Sequence, residues 1–327
     1  MGKDTSARSD AALSVGIKAG LQAPERGTTP AANGIAGTEA SKPERQANLW
    51  SDVWIELRRN PLFFISAVFV LLMLAIAIAP QLFTSADPRD CSLTNSLVRP
   101  SAQHWFGFDL QGCDYYARVM YGARASIAVG LSVTAASALI AVIGGALAGY
   151  YGGLIDGLIA RITDVVLAIP LFLGGIVILS ALGRQSRGIV TVTIALTALY
   201  WPTMLRLMRS SVLSAKEQDY VTAARALGAT DLRILMSHIL PNAIAPVIVY
   251  ATIAVGIIIA VEATLSYLGI GLQLPAISWG LMISDAQDRL LQAPHLLLFP
   301  GLFLSITVFA FILMGDALRD ALDPKLR

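Results

Sequence analysis

Few residues in this chain are spaced to do covalent or metal chemistry. The three histidines, His104, His238 and His295, stand too far apart to form a metal-ligand pattern. No Gly-x4-Gly-Lys-Ser/Thr occurs, so the chain has no phosphate-cradling loop of its own. No serine, histidine and acid grouping stands out as nucleophilic machinery, so the expectation is a protein that is not an enzyme and holds no cofactor. The two cysteines, Cys91 and Cys113, fall in one polar segment. An oxidising compartment would permit a disulfide there, worth ~3 kcal/mol for a loop of about 20 residues; two free thiols are the alternative.

The most informative stretch lies elsewhere in the chain. Residues 217–242, EQDYVTAARALGATDLRILMSHILPN, form a polar, helix-forming insert between segments apolar enough to lie in a bilayer. Ser214 followed by Glu217 fits a capping box that starts a helix, and Gly228 supplies the left-handed residue that ends one. Between them Ala223, Ala224, Arg225 and Ala226 give a slim tip. Thr230 can cap a second helix, with Asp231 facing its positive dipole end. Leu232, Leu235, Met236 and Ile239 then recur at i, i+3, i+4 and i+7 as one apolar stripe. The predicted form is two helices meeting at Gly228, one face on the membrane domain and the small tip exposed. The alternative is an ordinary amphipathic loop packed on its own protein.

The rest of the chain must carry that insert. Apolar residues make up 55% of it and charged residues only 14%, with mean hydropathy +0.65, too few charges to clothe a soluble domain of this size. A net charge of +2 without a basic, aromatic-interleaved cluster excludes nucleic acid as a partner. Six windows are long and apolar enough to span a bilayer: 62–80, 126–150, 165–183, 188–207, 243–261 and 296–315. The fourth is the weakest, being Thr-rich and interrupted by Pro202. The expected fold is an all-α, polytopic membrane helix bundle with six transmembrane helices.

Lys and Arg placement sets the expected orientation. Arg58 and Arg59 precede the first span, Arg206, Arg209, Lys216, Arg225 and Arg233 crowd the loop after the fourth, and Arg319, Lys325 and Arg327 follow the sixth. Both termini and the 217–242 insert are therefore expected in the cytoplasm, with Arg184 and Arg187 as exceptions outside. Residues 1–48, rich in Ala, Gly, Thr and Pro, read as a disordered cytoplasmic tail without a signal peptide. Trp50, Val53, Trp54 and Leu57 form the stripe of an interfacial amphipathic helix over 49–61, in contact with membrane lipid; a plain extension of span one is the alternative. The first span then covers 62–80, an extracytoplasmic loop 81–125, a core of five further spans 126–315 with the cytoplasmic insert at 214–242, and a cytoplasmic tail 316–327.

The insert closely resembles the EAA loop of ABC-importer permeases, whose consensus is E-A-A, three residues, Gly, nine residues, then I-x-L-P. Ala223, Ala224, Gly228, Leu240 and Pro241 are in register; Thr222 replaces the Glu and His238 the Ile. The string from Asp219-Tyr220-Val221 to Leu240-Pro241-Asn242 is similar to the dipeptide/oligopeptide branch, where such departures are usual. His104-Trp105-Phe106-Gly107, Tyr121-Gly122-Ala123-Arg124, Glu262-Ala263-Thr264-Leu265, Ser278-Trp279-Gly280 and the segment from Gly315-Asp316-Ala317 to Pro324 extend the resemblance, the last to the OppC/DppC-type subunit. Two departures are Cys113, where the family commonly has Arg, and Leu274, which replaces the first Pro of a usual pair.

The resemblance implies a type I ABC-importer permease fold in the plasma (inner) membrane. Asp219, Tyr220, Ala223, Ala224, Arg225, Gly228, His238, Leu240 and Pro241 would form the surface that docks onto the ATPases. The implied partners are a second permease subunit, two ATP-binding subunits holding ATP and Mg, and an extracellular solute-binding protein. Short peptides are the implied cargo, with nickel, sugars or haem carried by related systems. A self-sufficient secondary transporter is the rival class, but it would need ion-coupling residues and preferably an inverted repeat, and neither is seen. Glu262, embedded in the apolar run 253–271, is a candidate either for lining the path or for a helix-packing hydrogen bond. Gly145 and Gly149, with Gly144, Gly152 and Gly153, offer a small-residue face for a helix or subunit contact, and Pro170 and Pro246 are expected to kink their spans.

Overall fold

Hydrogen-bond satisfaction in lipid leaves helices as the natural form for this composition. The computed structural model describes residues 54–183 and 187–322, and among these the elements are helices. They are α1 (Pro61–Ile78), α2 (Tyr115–Tyr151), α3 (Gly153–Leu167), α4 (Leu171–Ala181), α5 (Ile189–Lys216), α6 (Asp219–Ala226), α7 (Asp231–Ile234), α8 (Leu240–Ala243), α9 (Ala245–Tyr267), α10 (Trp279–Ala286) and α11 (His295–Leu322). The tail expected at 1–48, Trp50 and Val53 of the interfacial stripe, Arg184, and the end of the chain from 323 fall outside the described residues.

Among the described residues, five helices are long and apolar enough to cross a membrane on their own: α1, α2, α5, α9 and α11. The third expected span, 165–183, is not one helix. It is the end of a pair, α3 and α4, bent by 82° where Pro170 caps α4. Pro170 was expected to kink a span and instead breaks it, because its ring leaves α4 starting afresh with no amide donor at that point. The pair still runs the length of the bundle against α5. Asp156 meets Arg209, Asp164 meets Arg206, and a Cβ on Gly174 would touch Leu199, so the two chains pass antiparallel. Counting the pair as one span gives six.

Contacts sort the helix ends into two groups. At one end Arg124 donates to the carbonyls of Ala77 and Ile78, and the Tyr115 hydroxyl donates to the carbonyl of Leu296. At the other, Leu57 packs with Ala321, Leu318 and Leu322, and Tyr150 reaches the α6–α8 segment. The two described extremities of the chain therefore lie at the same end as 219–243, as an even number of crossings requires.

α2 is 37 residues long and starts at Tyr115, where the hydropathy window starts at 126. Arg118 and Arg124 lower the hydropathy of its first turns, yet both find local partners, Arg118 the Asp109 carboxylate and Arg124 the two carbonyls. The Asp114 side chain caps the helix at the Ala117 amide. α2 packs parallel to α5. A Cβ on Gly145 would lie 2.7 Å from Met208 Cβ, and one on Gly149 2.9 Å from the Arg209 carbonyl oxygen. The glycine face thus serves a contact within the chain. Pro246 sits in the first turn of α9, where its missing amide costs nothing, so it begins that helix rather than kinking it.

Candidate functional site

Segment 219–243 is a hinged pair of helices seated on the ends of α2 and α5. Gly228 takes φ +81°, and the amides of Ala229 and Gly228 bond to the carbonyls of Ala224 and Arg225. These are the two bonds of a Schellman turn, which only a residue tolerant of the left-handed region accepts cheaply. The expected capping box is absent: α5 continues through Ser214 to Lys216, Glu217 closes it, and Gln218 precedes α6. The apolar run of α5 keeps packing to Ala215, and this outcompetes the local cap.

Val221 and Ala224 from α6, with Ile234, Leu235 and Ile239 beyond the turn, bury against Ala146, Tyr150, Met208, Val212 and Ala215. The expected stripe of Leu232, Leu235, Met236 and Ile239 does not hold. Leu235–Ile239 forms a π-helical turn, which adds a residue and rotates the register. Leu235 and Ile239 stay buried, Ile234 joins them, and Leu232 and Met236 turn outward. Leu227, at the tip, is 88% exposed. The outer surface therefore combines Ala223, Arg225, Leu227 and Gly228 with Leu232 and Met236, all exposed. Ala224, by contrast, faces its own protein.

Polar contacts lock this seat to the spans. The Tyr150 hydroxyl donates to Asp231 Oδ1 at 2.6 Å, and Lys216 Nζ donates to the Tyr150 carbonyl at 2.5 Å. Asn242 Nδ2 donates to the His238 carbonyl at 2.8 Å and approaches the Tyr220 hydroxyl at 3.5 Å. Asp219 begins α6, and Leu240 and Pro241 open α8 directly after the π turn. The site residues read from sequence between Asp219 and Pro241 all lie in this element, whereas Glu262, Cys91 and Cys113 lie outside it. Tyr150, Lys216 and Leu227 belong to it too. Tyr150 lies 69 positions before Asp219 and carried no sequence signal.

Glu262 is fully buried at the far end of α9. Its Oε1 accepts from the hydroxyls of Ser266 at 2.7 Å and Ser278 at 3.3 Å. Those serine oxygens in turn accept the amides of Leu272 and Leu281. The carboxyl organises the α9–α10 connection in this conformation. Arg187, expected as a stray cation, is 7% exposed and donates to the carbonyls of Leu179 and Gly269 at 3.0 and 3.2 Å. It closes the C-terminal ends of α4 and α9, where carbonyls lack helical partners.

Cys91 and Cys113 are joined in a disulfide spanning 22 residues, their Cα atoms 4.1 Å apart. The bridge braces the loop between α1 and α2. Asp109 works beside it, accepting from the amides of Gln111 and Cys113 and pairing with Arg118.

A family described as binding-protein-dependent transport system inner membrane component matches residues 141–327, and the N-terminal transmembrane domain of oligopeptide transport permease C matches residues 48–100. The chain is 40% identical to the dipeptide transport system permease protein DppC of Alkalihalophilus pseudofirmus, over 85% of this chain and 90% of that one. It is 39% identical to the oligopeptide transport system permease protein OppC of Bacillus subtilis, over 89% and 95%. The glutathione transport system permease protein GsiD of Escherichia coli O157:H7 is also 39% identical, over 88% and 94%. With its bundle of membrane-spanning helices and its 219–243 element, this multi-pass chain belongs to the family of inner membrane components of binding-protein-dependent transport systems.

Proposed function

We propose that this chain is the permease subunit of an ATP-driven importer for di- and oligopeptides. It pairs with a second permease subunit to enclose the path. Two ATP-binding subunits, where ATP and magnesium reside, dock on segment 219–243 from the cytoplasm. An extracellular solute-binding protein delivers the peptide at the opposite end. The relatives named for dipeptides, oligopeptides and glutathione, itself a tripeptide, support short peptides as the cargo class.

The observation that carries the reading is the two-faced construction of 219–243. Its inner face is packed into the bundle through Val221, Ala224, Ile234 and Ile239, while its tip presents small and apolar groups to the outside. A partner that pulled or turned the tip would move the ends of α2 and α5 with it, because Tyr150, Asp231 and Lys216 leave little slack. α5 is also tied to α3 through the bidentate Arg209–Asp156 pair at 2.5 and 2.6 Å, so the broken span follows. ATP-driven closure of the partners would then favour one arrangement of the spans over another, a population shift driven by differential binding.

The test is Ala223→Trp, a bulky group on the exposed tip, against Ala224→Trp, which disturbs the buried seat. The first should abolish co-purification of the ATPase subunits and peptide uptake while the chain itself unfolds at its usual temperature. Normal assembly and uptake with Ala223→Trp would refute the docking role.

A further inference from the structure

At the end of the bundle opposite 219–243, a cavity of about 290 Å³ opens between the disulfide-braced loop, the start of α2 and α10. Its lining joins an apolar group, Leu274, Ile277 and Leu281, to a charged one, Asp109, Arg118 and Asp285. Asp109 and Arg118 are already paired with each other, and their side chains are only 8% and 11% exposed. Asp285 is exposed and has no ion-pair partner among the described residues. Partial desolvation holds its carboxyl above the usual carboxylate range; Arg118 opposes that effect and Asp109 adds to it. The trio carries one uncompensated negative charge beside an apolar wall.

We propose that this cavity receives one lysine or arginine side chain of the extracellular solute-binding protein, which docks there to deliver its peptide. The proposal rests on the importer reading given above. An aliphatic stem would lie along Leu274, Ile277 and Leu281 while its cationic head meets Asp285, the division of labour that long basic side chains adopt. The volume lies at the lower edge of small-molecule pockets, about 300 Å³ and upward, and suits a single inserted side chain. The walls are set in advance. Asp109 is fixed by the amides of Gln111 and Cys113, and Cys113 by its bridge to Cys91, so little ordering is left for the partner to impose. A buried basic anchor in such a site is the kind of residue that dominates an interface.

The experiment measures binding of the purified solute-binding protein to the assembled transporter in lipid nanodiscs, at low and at moderate salt. Asp285→Asn should weaken binding about tenfold at low salt and flatten its salt dependence, as loss of a complementary charge does. Asp285→Lys should weaken it further, and Asp285→Glu should restore most of the affinity. Ala276→Phe, which narrows the cavity without changing charge, should also weaken binding. Unchanged affinity in both Asp285→Asn and Asp285→Lys overturns the assignment of this pocket and leaves the importer reading standing. Failure of the unmodified complex to bind any solute-binding protein overturns both.

Discussion

The Tyr150 hydroxyl, on the last turns of α2, donates a 2.6 Å hydrogen bond to the Asp231 carboxylate at the start of α7. It is a direct polar link between a membrane span and the second helix of segment 219–243, across 81 residues of chain. Hydrogen bonds to a charged group contribute about 1.5–3 kcal/mol. Tyr150→Phe should therefore leave the transporter assembled and hydrolysing ATP, with fewer peptides moved per ATP. Uptake and hydrolysis measured on the same proteoliposomes check this, and an unchanged ratio would count against the link.

Gly228 separates backbone conformation from contact. A Cβ there would meet nothing within 4 Å, so Gly228→Ala clashes with no neighbour and carries only the left-handed penalty, about 1–2 kcal/mol. The turn should open, lowering ATPase co-purification, while thermal unfolding of the spans stays put. A fall in both together would mean that the turn supports the bundle rather than the docking surface.

Arg187 should matter for stability, not for topology. Arg187→Met removes the donor from the carbonyls of Leu179 and Gly269, each bond worth about 1.5–3 kcal/mol with a charged donor. The solubilised protein should unfold at a temperature several degrees lower, read by a thermal-shift assay. An unaltered transition would show that water replaces the guanidinium without loss.

The Cys91–Cys113 bridge predicts a local effect. Replacing both cysteines with serine should cost the loop between α1 and α2 up to ~3 kcal/mol and speed its cleavage by added protease. A reductant should have the same effect on the unmodified protein and none on the serine variant. Equal cleavage rates throughout would mean that Asp109 and Arg118 hold the loop without the bridge.

Much of this architecture is legible in residue types. Gly228 announces its turn, and the apolar windows locate α1, α5, α9 and α11 because nothing competes with lipid for those side chains. Where the reading slipped, a longer-range interaction had overridden a local rule. Ser214 and Glu217 look like a helix start but are absorbed by α5, whose packing continues to Ala215. Leu232, Leu235, Met236 and Ile239 sit at helical spacing, but the π turn at Leu235–Ile239 changes the register, so Ile234, Leu235 and Ile239 share the buried face while Leu232 and Met236 lie outside it. The sequence window for α2 begins only at 126 because hydropathy cannot see that Arg118 and Arg124 find partners. Arg187 looked like a misplaced charge for the same reason. Tyr150 was out of reach because its partner is set by how α2 and α7 pack.

In the proposed importer the tip of 219–243 meets the ATPase subunits in the cytoplasm. The chain has two cysteines and both are bridged, so Leu227→Cys introduces a single free thiol at a position that is 88% exposed. Leu93→Cys, at a residue 79% exposed in the bridged loop, supplies the opposite control. In intact cells a membrane-impermeant thiol reagent should label Leu93→Cys and spare Leu227→Cys. In opened membranes a short cross-linker should join Leu227→Cys to an ATP-binding subunit. Labelling of Leu227→Cys from outside, or its failure to cross-link while the complex hydrolyses ATP and takes up peptide, would refute cytoplasmic docking at this tip.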